Sequence, residues 1–119
     1  MLTEEQAKQF ANHWINAWNS HNLDEILSHY DDNVSFVSPM ALKFLNIPAG
    51  LIQGKEALRS YFAKGLAFFP NLQFELLDVL WGVDSLIVYY KNRKGIMAGE
   101  FMEIGPEGKV SRAVANYNE

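Results

Sequence analysis

Near the start of the chain, apolar residues recur at helical spacing: Ala7, Phe10, Trp14, Ala17 and Trp18 share one side, behind Thr3 and Gln6 spaced as a capping box. This predicts a helix with an aromatic stripe. The polar run Asn19 to Asn22 ends it, and Asn22 with Glu25 is placed to cap a short second helix whose apolar face is Leu23, Ile26, Leu27 and Tyr30. After Asp31, Asp32 and Asn33, read as a turn, the period falls to two. Val34, Phe36 and Ser38 point one way and Ser35 and Val37 the other until Pro39, which predicts a first strand. Met40 to Gln53 is apolar, broken by Pro48 and Gly50, and keeps neither period, so an irregular segment held against the body is expected. Gly54 opens a third helix whose buried face is Leu58, Tyr61, Phe62, Gly65 and Phe69, with Pro70 beyond its end.

From Leu72 onward β-branched and aromatic residues dominate, divided by turn signals at Gly82 to Asp84, Asn92 to Gly95 and Gly105 to Gly108. Four strands in a meander follow. Helices first and strands after, joined by short links, predict an antiparallel α+β domain rather than a parallel sheet built from crossovers. At 119 residues the chain, 1–119, is read as a single domain without repeat or linker.

Composition narrows the function classes. With 49% hydrophobic and 20% charged residues, the chain can bury a core and does not read as disordered. A net charge of −4 argues against nucleic-acid partners, whose binding depends on releasing counterions from phosphates. The apolar stretch Leu66 to Tyr90 is interrupted by Glu75, Asp78 and Asp84, so no membrane span is expected, and the polar, acidic start lacks a secretory pattern; a cytoplasmic location is the expectation. No cysteine is present, which removes disulfides, thiolate metal sites and thiol nucleophiles. His13, His21 and His29 are eight residues apart, so only His13 and His21 could share a helix face, and no metal set or cofactor motif emerges. His29 is expected at the surface.

The runs AWNSHNLDEILSHYDDNVSFVSP, IQGKEALRSYF and PEGKVSRAVANY, in this order, resemble the SnoaL-like, ketosteroid-isomerase-like branch of the nuclear transport factor 2-like superfamily. The resemblance covers nearly the whole chain. It implies a cone-shaped, cystatin-like α+β roll: three N-terminal helices packed on the concave face of a strongly curved, mainly antiparallel sheet, around an apolar pocket. On the last strand, Ala113, Ala115 and Tyr117 would face inward, and Val110, Arg112 and Val114 outward, where relatives often pair two subunits.

The resemblance also implies a test by position. In ketosteroid isomerases a carboxylate base precedes the proline after the first strand, and an oxyanion hole combines a tyrosine with a protonated carboxylic acid. The matching positions hold Ser38, Trp14 and Glu100. Only the last keeps its chemistry, so ketosteroid isomerisation proper is not expected. Alternation puts Ala98, Glu100, Met102 and Ile104 on one strand face. Glu100 is then either an inward carboxylate with a raised pKa, or an edge residue that is solvated or paired with Lys91 or Arg93.

The expected ligand pocket comprises Trp14, Trp18, Tyr30, Phe36, Ser38, Phe62, Met102, Ala113 and Tyr117, with Glu100 as the candidate acid or base. For each ring of Trp14, Trp18, Phe62 and Phe69, core packing is the reading favoured over a pocket wall. Two function classes follow from the resemblance. One is a homodimer that binds a small apolar or aromatic molecule and catalyses proton transfer of the isomerase or cyclase type, without cofactor or metal. The other is a non-enzymatic dimeric ligand-binding or protein-association module.

Overall fold

The computed structural model describes residues 1–119. The aromatic stripe belongs to α1 (Glu4–Asn19), which buries Ala7, Ala11, Trp14, Ile15, Ala17 and Trp18, and whose capping box between Thr3 and Gln6 is complete. The Asn22 side chain accepts from the Glu25 N–H at the start of α2 (Leu23–Leu27). Tyr30 does not extend this helix. It opens β1 (Tyr30–Val37), so Asp31 and Asp32 lie in a strand rather than a turn. A register shift between Tyr30 and Ser35 lets the strand absorb this polar stretch while keeping Tyr30, Val34 and Phe36 inward.

The segment expected to be irregular contains two regular elements: α3 (Pro39–Leu45), capped by the Ser38 side chain, and the edge strand β2 (Leu51–Gln53), with a short 3-10 turn at Pro48–Gly50 between them. The long helix α4 (Lys55–Phe68) follows Gly54 and buries Leu58 and Phe62, whereas Phe69 is exposed past its end. There are therefore four helices, not three.

The meander is β3 (Glu75–Trp81), β4 (Ser85–Lys91), β5 (Met97–Ile104) and β6 (Val110–Tyr117). All six strands form one sheet in the order β2-β1-β6-β5-β4-β3. Every neighbouring pair is antiparallel except β1 and β6, which run parallel. The open sheet curls around α1, α2 and α4, and the core lies inside that curl. Val110 is buried, not outward, because a register shift between Glu103 and Ile104 displaces the start of β6 by one residue.

Candidate functional site

The sheet register aligns the inward side chains of β4, β5 and β6 in rows. Tyr90, Ala98 and Tyr117 form one row, Val88, Glu100 and Ala115 the next, and Leu86, Met102 and Ala113 the third, which β1 extends with Phe36. Parallel pairing of Val37 with Val114 brings Ser38, the following residue, level with Ala115 and Glu100. Small side chains at Ala98 and Ala115 flank the carboxylate, leaving room for larger neighbours to lean over it.

Glu100 faces inward and is 4% exposed, so the alternative of a solvated edge residue does not hold. Lys91 pairs with Glu75 and Arg93 reaches the Asn71 carbonyl instead. The Tyr90 hydroxyl donates to Glu100 Oε1 at 3.1 Å, and Oε2 has no partner. Burial pushes the carboxyl from its ordinary 4.5 up to about 7, with the Tyr90 hydrogen bond pulling the other way. Four phenols surround it. Burial, reinforced by the Glu100 charge, also raises Tyr30, Tyr90 and Tyr117, and Tyr61 shifts the same way. These hydroxyls therefore stay neutral, and Glu100 is the member of the cluster poised to change charge near neutrality.

Ser38 is buried and tied down from three sides. Its N–H donates to the Gly50 carbonyl at 3.0 Å, its Oγ accepts from the Met40 N–H at 3.2 Å, and the same Oγ lies 3.0 Å from the Tyr61 hydroxyl. Trp14 donates its indole N–H to the Tyr30 hydroxyl at 3.0 Å, so that donor is already engaged. The unpartnered indole N–H is that of Trp18, whose ring packs edge-on to Phe62 at 4.8 Å.

Nine of the ten residues expected at the site lie on the inner side of the sheet or on the helices it encloses, and the tenth, Ser38, is buried between the end of β1 and α3, which it caps. Tyr90 and Tyr61 join them: Tyr90 was not singled out from sequence, and Tyr61 only as part of the buried face of its helix. Tyr90 was legible as the inward member of the Leu86, Val88, Tyr90 alternation, while the bond between Tyr61 and Ser38 spans 23 residues and has no local signature. Much of the interior is filled by rings: Trp14 lies 5.4 Å from Tyr90, and Phe62 lies 5.3 Å from Phe36. Two clefts open beside this interior. One of about 210 Å3 is lined by Pro39, Met40, Lys43, Phe44, Tyr117 and Glu119; the other, about 250 Å3, by Ile47, Ile52, Ser60 and Tyr61 among others.

The histidines stand apart from this cluster. His21 lies beyond α1 at φ 58° and its Nε2 meets the Leu72 carbonyl, so it does not share a face with exposed His13. His29 is half-buried rather than at the surface, packed against Phe10, and desolvation lowers its pKa. No three carboxylate or imidazole groups converge as a metal site, and no helix is long and apolar enough to cross a membrane.

A curled, open six-stranded sheet enclosing helices is the cone-shaped nuclear transport factor 2-like fold. Within that class, residues 11–114 match the SnoaL-like domain, and the chain belongs to this family. A SnoaL-like protein of unknown function from Burkholderia thailandensis is 41% identical over 98% of both chains, with a TM-score of 0.94. The fold is shared more distantly with SalBIII, an epoxide hydrolase/cyclase-like enzyme in pyran ring formation in salinomycin (17% identity, 99% of this chain and 95% of that one, TM-score 0.78). A loop truncation variant of IdmH is similar at 14% identity, covering 95% of this chain and 92% of that one, with a TM-score of 0.78. No curated protein matches the chain.

Proposed function

We propose that this SnoaL-like domain binds a small, largely apolar or aromatic carbonyl compound inside the cone and transfers a proton on it, as in isomerisation or cyclisation. One observation carries the reading: a carboxyl with an unpartnered oxygen, buried among phenols and titrating near neutrality. In its ionised form Glu100 can take a proton from the carbon next to a carbonyl, and the neutral hydroxyls of Ser38, Tyr61 and Tyr117 can donate to the oxygen on which negative charge then develops. The protonated Glu100 returns the proton to a different carbon, and atoms balance without a cofactor or metal. Ketosteroid isomerisation proper does not fit, because the base position before Pro39 is Ser38.

The test is hydrogen–deuterium exchange at the α-carbon of a panel of cyclic and aryl ketones. The wild-type chain is expected to accelerate exchange of at least one, and Glu100→Gln to lose about 10²- to 10⁴-fold of that rate. Equal rates in the two proteins remove Glu100 from the chemistry.

We further propose a cytoplasmic homodimer formed through the outer sheet face. Supporting this, Leu80, Ile87, Phe101 and Val114 occupy one outward row across four strands, and Leu80 and Ile87 are exposed. The filled interior around Trp14, Trp18 and Phe62 supports a second reading, a non-enzymatic dimeric ligand-binding or association module. In that case neither ketone exchange nor small-molecule binding depends on Glu100.

A further inference from the structure

The cleft between α3 and the end of β6 is lined by a residue of the inner sheet face itself. Tyr117 lines it from outside, and the same side chain stands in the row adjacent to Glu100, whose charge adds to burial in raising the Tyr117 hydroxyl. Behind the Tyr117 ring the inner surface of the sheet is shallow, because Ala98 is its partner in the row and Ala115 precedes it on the same face. The remaining walls are fixed. Ser38 is pinned against Gly50, where an added Cβ would come within 2.5 Å of the Ser38 carbonyl oxygen, and Tyr61 is carried by α4 with its hydroxyl on Ser38. Among these groups Tyr117 both lines this cleft and stands in the row next to Glu100, and the backbone after it is bound through Asn118 to Met97.

We propose that Tyr117 is the gate and width filter of the site: ligands reach Glu100 through the cleft lined by Pro39, Met40 and Phe44, and the Tyr117 ring limits how wide they can be. This deepens the reading of the Glu100 cluster as a binding site and rests on it. A ring-sized obstruction between an apolar cleft and the carboxylate favours ligands of single-ring width over fused bicyclic ones. Removing the ring deepens the cleft toward the row of Glu100 and admits water to the unpartnered Oε2.

The gate can be tested without a known substrate. The Glu100 carboxyl is followed by carbon-13 NMR through a pH titration in wild type, Tyr117→Phe, Tyr117→Ala and Tyr61→Ala, with Tyr117→Leu as a fuller replacement should the alanine variant fail to fold. Opening Tyr117 should lower the midpoint from about 7 toward the ordinary 4.5, whereas Tyr117→Phe and Tyr61→Ala should leave it near 7. The fluorescent bicyclic phenol 2-naphthol should bind the opened variant at least about tenfold more tightly than wild type, a difference of about 1.4 kcal/mol. An unchanged midpoint in the opened variant, a Tyr61→Ala shift as large as that of Tyr117→Ala, or equal 2-naphthol affinity overturns the gate. A lowered midpoint with no ketone exchange in any variant keeps the entrance and rejects only the catalytic reading.

Discussion

Glu100 links the chemistry of the site to the stability of the chain. Folding raises its carboxyl from 4.5 to about 7, so between these values the folded chain holds a proton that the unfolded chain has released. Stability from the protonated form is fully present below pH 4.5, declines as the pH rises, and stops declining above about 7. At 1.36 kcal/mol per unit the loss is on the order of 3 kcal/mol. Urea unfolding at pH 5 and pH 8 should show it in wild type, while Glu100→Gln should be nearly flat over the same interval; parallel losses in both proteins would rule out Glu100 as the source. Strand alternation alone placed this residue opposite Phe101 and Glu103. It could not decide whether that face was the inner one, because the answer depends on a sheet whose β6 partner, Ala115, is 15 residues away.

Helices and strands were legible to the extent that their signals are local. The capping box at Thr3, the Asn22 cap, the glycine before α4 and the three hairpin turns are all written within a few residues of where they act. The helix α3 has seven residues, too few for a period to show, although Ser38 and Pro39 supply the capping residue and first-turn proline that open one. Val110 was misplaced because a bulge changes register without any turn residue to announce it. The packing of the 3-10 turn on the end of β1 was equally silent, since its requirement lies between distant backbones. Gly50 sits at φ 62°, and any Cβ there meets the Ser38 carbonyl, so Gly50→Ala should destabilise the chain by about 2 to 4 kcal/mol in thermal or urea unfolding. A loss below about 0.5 kcal/mol would show that this turn yields freely.

Across the whole molecule, the curl gives the sheet two unlike faces. The inner one holds the core and the carboxylate, while the outer one carries the row Leu80, Ile87, Phe101 and Val114, bordered by the Arg112–Glu103 pair at 3.5 Å. Sedimentation should find the wild-type chain dimeric and Ile87→Glu monomeric with an unchanged circular dichroism spectrum; a dimer that survives the substitution moves the interface elsewhere. The single parallel junction, β1 beside β6, has a temporal consequence. Tyr30 must wait for Val110, 80 residues downstream, before that part of the cone can zip. Assembly on the ribosome therefore cannot finish until the closing strand has emerged, and refolding is expected to run slower than that of a helical bundle of equal length.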